Sequence, residues 1–126
     1  QRSPTTANRA LFVSNFVSRY DLEPEQFADG IYDAIYLLAL AMEQAGSTEA
    51  EAITGALRSV SSSGAAINVA DFARAKALIA SGTDIDYEGA SGSIDFDANG
   101  DVASGTFRVW TVENAAFVDV TTITFP

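Results

Sequence analysis

The sequence predicts an α+β chain in which about four helices precede a small antiparallel meander. Over residues 6–80, apolar side chains recur every three or four positions, which is the spacing of one helix face. After Gly82 the spacing shortens to two, as in a half-buried strand. The pair Asn99-Gly100 then supplies a strong hairpin signal. Helices therefore fill most of the chain, and strands fill its end.

Two long helices are predicted in the first part of the chain. The first covers residues 6–20 and ends in the segment 21–24, which contains a proline. The second covers residues 29–45 and ends at Gly46. Because the second helix is apolar nearly all round, we expect it to be buried on several sides by further layers of a longer protein, and to expose apolar surface in this fragment.

Capping signals predict the next two helices. Thr48 and Glu51 have the spacing of a capping box at the start of the third helix. Asn68 with Asp71 offers a weaker cap for the fourth helix, which is predicted to stop at Gly82.

Three strands are predicted to form the meander. Polar and apolar residues alternate over 93–97. Asn99-Gly100 predicts a type I′ turn, in which both central residues need positive φ. Residues 106–112 form the returning strand, and residues 116–125 are mostly β-branched or aromatic.

Composition excludes several classes of function. The 126-residue chain has 17 acidic and 7 basic residues and a net charge of −10, which repels nucleic acid and anionic membranes. It contains neither Cys nor His. Thiolate metal sites and Ser-His-Asp triads are therefore excluded, and no cofactor is expected.

Two segments resemble a known family. Residues 27–46 read FADGIYDAIYLLALAMEQAG, and residues 87–112 read YEGASGSIDFDANGDVASGTFRVWTV. Their motifs, order and separation are similar to the C-terminal part of the type I periplasmic binding proteins. The leucine/isoleucine/valine-binding family of ABC importers is the group that the chain resembles most.

The resemblance implies an α/β fold of two lobes, in a longer protein, with the ligand held between them. Residues 1–91 would supply the last helices of the N-terminal lobe, and residues 92–126 a crossover and the terminal strands of the second lobe. The fragment would be self-associated or paired with the rest of its chain.

The resemblance also implies a non-enzymatic function. The intact protein would deliver an amino acid, amide or aromatic acid, or a related small carboxylate, to an ABC permease. It would be periplasmic, or extracellular and anchored to the membrane.

The resemblance places the ligand near the start of the second helix. Phe27 matches an aromatic position of the binding cleft, and Asp29 and Gly30 lie where free backbone N–H groups can meet a polar ligand. Tyr32 is the fourth candidate. Helix capping by Asp29 and apolar packing by Phe27 and Tyr32 are the alternative roles.

The acidic residues leave other functions open. The run from Asp95 to Asp101 has the alternating oxygen ligands of a calcium loop but has Thr106 where a bidentate Glu is required, so a strand explains it better. The pairs Asp84/Asp86 and Asp95/Asp97 leave a small carboxylate-dependent enzyme as a distant alternative. A ligand-sensing domain of a regulator, on the same fold, is the first alternative to a transport function.

Overall fold

A computed structural model describes residues 5–125 of the chain. This part forms four helices and two two-stranded sheets. The elements in chain order are α1 (Ala7–Tyr20), α2 (Ala28–Ala45), α3 (Ala50–Ser61), β1 (Ala65–Ile67), α4 (Phe72–Ala80), β2 (Ile85–Tyr87), β3 (Gly105–Glu113) and β4 (Ala116–Phe125). The predicted α+β character, with four helices before an antiparallel pair, is confirmed.

The ends of the long helices follow the sequence signals. α1 begins after Thr6, whose hydroxyl accepts the N–H of Arg9 at 3.1 Å, and ends at Asp21 in the left-handed conformation. α2 ends at Gly46, with φ of 59°. Gly82, with φ of 75°, follows α4 as predicted.

Two predicted caps are wrong. The residue before α3 is Glu49, whose side chain makes no capping hydrogen bond. Its N–H donates instead to the hydroxyl of Ser47 at 3.0 Å, so the chain turns before Thr48 can act as the cap. At α2 the cap position belongs to Phe27, with φ of 71°, which places Asp29 inside the first turn and removes its proposed capping role.

A parallel strand pair was not predicted. β1 and β2 pair in parallel, with Ala65 opposite Ile85, and α4 makes the crossover between them. Each strand has three residues, which is too short for an alternating pattern to be visible in the sequence.

The core lies where α2 packs against α3, α4 and the parallel pair. Leu40 of α2 is fully buried, and the ring of Tyr36 stacks on Tyr87 of β2 at 4.6 Å. Within residues 5–125 the outer stripe of α2 is exposed, in agreement with the expectation for a fragment. That outer stripe consists of Ile31, Ile35, Leu38 and Met42.

The C-terminal end is a hairpin, not a three-stranded meander. Residues 93–97 form no strand; Ser93 and Phe96 make only isolated bridges, to Glu88 and Val102. β3 and β4 pair antiparallel, with a register shift between Val109 and Trp110. Large apolar side chains of this hairpin are exposed, among them Phe107, Trp110, Phe117 and Ile123.

The predicted type I′ turn at Asn99-Gly100 is wrong. At 99–100 only Gly100 has positive φ, because the Asp97 carboxylate accepts the N–H groups of Asn99 and Asp101 and imposes another turn. Between β3 and β4, Asn114 and Ala115 both have positive φ, at 51° and 60°.

Candidate functional site

The four predicted ligand residues lie along the start of α2 but face different surroundings. Phe27 is 59% exposed, so it packs little and remains accessible. Asp29 is buried and forms an ion pair with Arg9 of α1, while its Oδ1 accepts the N–H of Gly30 at 2.9 Å. The structural role of Asp29 is therefore to join α1 to α2.

Tyr32 and Gly30 differ in what they contact. The hydroxyl of Tyr32 donates to the carbonyl of Val69 at 2.7 Å, and its ring packs 5.1 Å from the ring of Phe12. Burial and the neighbouring Asp33 carboxylate raise the pKa of Tyr32, so this hydroxyl stays protonated at neutral pH. Gly30 alone of the four lines a groove that runs between α2 and the hairpin.

This groove, of about 530 Å³, separates α2 from the base of the β3–β4 hairpin. Gly30, Ala34 and Leu37 form its wall on α2. Phe107 and Phe125 face them from the hairpin. The loop between the two sides contributes hydroxyl groups, so the groove offers both apolar and polar contacts to a small molecule. These hydroxyl groups belong to Ser91, Ser93 and Ser104.

Asp33 also lines this groove, and it was not among the predicted site residues. Its carboxylate is 1% exposed and accepts four hydrogen bonds. Tyr87 donates its hydroxyl at 2.8 Å, and the N–H groups of Ala90 and Ser91 donate at 2.9 and 2.7 Å. The Ser91 hydroxyl adds a bond of 2.6 Å. A carboxylate with four donors is fully satisfied despite its burial.

Two features surround Asp33. A Cβ at Gly89 would lie 2.5 Å from Asp33 Oδ2, so glycine is needed for the loop to come this close. Burial and the Asp33 charge raise the pKa of the Tyr87 hydroxyl far above its ordinary value, so Tyr87 acts as a donor throughout the working pH range. The Tyr-Asp-Ala run at 32–34 was the sequence signal for this cluster, since an aspartate there interrupts the buried face of a helix.

In the part of the chain that the structure describes, the remaining acidic residues form neither a calcium loop nor a metal site. Asp97 caps its own turn, and Asp95 accepts the Ser93 hydroxyl at 2.6 Å. Asp86 lies in β2, and its pKa is raised by burial and by the charges of Asp95 and Asp84. Over residues 5–125, no group of three or more acidic side chains is arranged to hold a metal ion.

Comparison with known proteins identifies the family. The profile of the family described as "Receptor family ligand binding region" matches residues 6–115. The chain belongs to this family, and its fold is that of the type I periplasmic binding proteins.

Two relatives bear on the function. The leucine-binding protein LivK of Thermotoga maritima has a similar structure, with a TM-score of 0.58 and 25% identity, over 94% of this chain and 27% of that one. The chemotactic signal transduction system substrate-binding protein BasB of Halobacterium salinarum is 41% identical over 80 residues. The match covers 62% of this chain and 19% of BasB.

The relatives that match the chain are substrate-binding proteins, not enzymes, by name. The chain spans about a fifth of one and a quarter of the other. None of the helices described within residues 5–125 has the length and apolar character needed to cross a membrane.

Proposed function

We propose that this chain is part of an extracytoplasmic solute-binding protein that captures an amino acid or related small carboxylate and delivers it to an ABC permease. The observation that carries the proposal is the structural likeness to a leucine-binding protein over 94% of the chain. The family profile over residues 6–115 supports the same ligand-binding role.

The division of the chain supports capture between two moving parts. The helices and the parallel pair share one core, and Ala90 is its last fully buried apolar residue. Beyond residue 91 the chain passes through isolated bridges to an exposed hairpin. In the proposal, residues 1–91 belong to the first lobe, and residues 92–126 form the crossover and strands of the second.

The start of α2 is the proposed ligand contact. Phe27 is exposed and held at positive φ by the turn before α2, so its ring is available to an apolar ligand group. Gly30 leaves the nearby groove open, since no atom lies within 4 Å of a Cβ built there. Asp29 and Tyr32 support this surface through Arg9 and Val69.

Ligand sensing is a second candidate function. The relative with 41% identity is named for a chemotactic signal transduction system. A sensor would capture the same class of solute but would pass the closed form to a signalling receptor in place of a permease.

A thermal-shift screen of the full-length protein tests solute capture. The panel contains leucine, isoleucine, valine, glutamine, acetamide and benzoate. A true ligand at about a hundred times its dissociation constant should stabilise the protein by about 2.7 kcal/mol. We expect Phe27→Ala to reduce the shift and Leu22→Ala, at another exposed site, to leave it unchanged. A panel without any shift would contradict amino-acid capture.

Gene deletion separates delivery from sensing. Loss of uptake of the radiolabelled ligand would support the permease as the partner. Loss of the chemotactic response to that ligand, with uptake intact, would support the sensor instead.

A further inference from the structure

The donors to Asp33 all lie in one short stretch of chain. Tyr87, Ala90 and Ser91 are 54 to 58 residues away in sequence, at the end of β2 and directly after it. Two of the four bonds come from backbone N–H groups, so the carboxylate holds the main chain itself and not only side chains. Asp33 thus fastens residues 87–91 to α2.

The loop after β2 has little conformational freedom where it packs against α2. Gly89 packs against the Asp33 carboxylate with no room for a Cβ. The N–H of Gly89 donates to the carbonyl of Gly92 at 3.0 Å, which closes a tight loop. Gly92 has φ of 125°, a conformation that residues with a side chain rarely adopt.

The loop that Asp33 holds continues into a segment that stays on the core. Ser93 bridges to Glu88 across Gly92. Ile94 and Phe96 pack against the core. The β3–β4 hairpin beyond them has exposed side chains along its length. Ser91 and Ser93 line the groove of about 530 Å³ that lies between this hairpin and α2. The loop fastened by Asp33 is therefore part of the wall of this groove.

We propose that Asp33 is a positioning residue that holds residues 87–91 on α2 and so fixes the part of the groove wall that Ser91 forms. The inference rests on the proposed function in treating this groove as part of the ligand site. Asp33 does not touch the ligand. It acts by holding the two sides of the binding site in fixed positions, which lowers the entropy cost of ordering them when the ligand binds.

Hydrogen–deuterium exchange of the full-length protein tests the anchor without any ligand. In Asp33→Asn, one carboxylate oxygen becomes an NH₂ group that faces donors and cannot accept from them. We expect the amides of Ala90 and Ser91 to exchange about tenfold faster or more, the effect of losing hydrogen bonds to a charged group. Unchanged exchange at these amides in a folded Asp33→Asn protein would overturn the proposal.

Two further variants keep this test decisive. Gly89→Ala forces a Cβ against the same carboxylate, so it should speed exchange at Ala90 and Ser91 even where Asp33→Asn does not fold. Tyr36→Phe removes a buried hydroxyl that bonds to the carbonyl of Asn68 at 3.3 Å, away from the loop. Tyr36→Phe should lower the melting temperature without faster exchange at those two amides. If it speeds their exchange as much as Asp33→Asn does, Asp33 only stabilises the fold in general and the proposal is overturned.

Leucine titration then tests the link to capture. We expect Asp33→Asn to weaken leucine binding about tenfold, and Tyr36→Phe to leave it unchanged. Faster exchange of the Ala90 and Ser91 amides in Asp33→Asn, together with unaltered leucine affinity, would overturn the positioning role. If the wild-type protein binds another member of the panel in place of leucine, that compound is titrated instead. Failure to bind any member would count against the proposed function, and the exchange result would still decide whether Asp33 is the anchor.

Discussion

Leu40 lies at the centre of the core and shows what burial contributes at the scale of one residue. It is fully buried on α2, whereas Ile35 on the same helix is 64% exposed. We expect Leu40→Ala to lower the free energy of unfolding by about 2–5 kcal/mol, because it removes buried methyl groups and leaves a cavity. Ile35→Ala should cost less than about 0.5 kcal/mol. Equal losses in urea unfolding would contradict this assignment of the core.

Glu88 is predicted to make stability depend on pH. Burial, followed by the charges of Asp86 and Asp95, raises its pKa above the ordinary value of 4.5. Because the folded state holds this proton more tightly than the unfolded chain, ionisation of Glu88 opposes folding, fully so above its folded pKa. We expect Glu88→Gln to raise the melting temperature at pH 7, and we expect this gain to disappear as the pH falls below 4.5.

Exposed Glu25 provides the control for that experiment. Glu25→Gln removes the same charge in the loop before α2, outside the group formed by Asp86, Glu88 and Asp95. A gain of equal size and equal pH dependence in Glu25→Gln would show that net charge, and not the local repulsion at Glu88, is responsible.

At the scale of elements, the β3–β4 turn is strained at one residue. Ala115 has φ of 60°, a left-handed conformation that costs a residue with a Cβ about 1–2 kcal/mol. We expect Ala115→Gly to stabilise the hairpin by about 0.5–1 kcal/mol, measured from the exchange of β3 and β4 amides. Ala116→Gly, inside β4, should destabilise it instead. The opposite order would show that the turn between β3 and β4 is not of type I′.

The elements also show what the sequence could and could not predict. The long helices were predictable because Gly46 and Asp21 mark their ends and their apolar spacing is regular. The parallel pair was not, since strands of three residues carry no period and their partner is fixed by tertiary packing. Asp33 stands out in the sequence as an aspartate on an apolar helix face, but its donors were not predictable, because they lie in a loop distant in sequence.

For the whole molecule, the net charge of −10 predicts salt-dependent stability. Repulsion among the 17 acidic residues opposes the compact state, and added salt screens it. We expect the melting temperature to rise by about 4 °C or more between 0.05 and 1 M NaCl, which corresponds to about 1 kcal/mol for a domain of this size. Glu23→Gln with Glu25→Gln should reduce the dependence, and a melting temperature that falls with salt would contradict it.

The exposed apolar surfaces predict association of the isolated chain. The outer stripe of α2 and the side chains of the hairpin together leave many large apolar groups in solvent. We expect light scattering to give a mass above that of a monomer, or to show a second polypeptide bound. A clean monomer mass with no second polypeptide would contradict this prediction. Leu38→Glu, at the middle of the outer stripe, should reduce the association.

Titration calorimetry of the full-length protein tests the central claim most directly. Leucine, isoleucine, valine, glutamine, acetamide and benzoate are titrated in turn into the wild-type protein and into Phe27→Ala. The account predicts saturable binding of one chemical class at a single site, weakened in Phe27→Ala. Absence of binding by every member of this panel would contradict the claim that the chain belongs to a protein that captures amino acids or related small carboxylates.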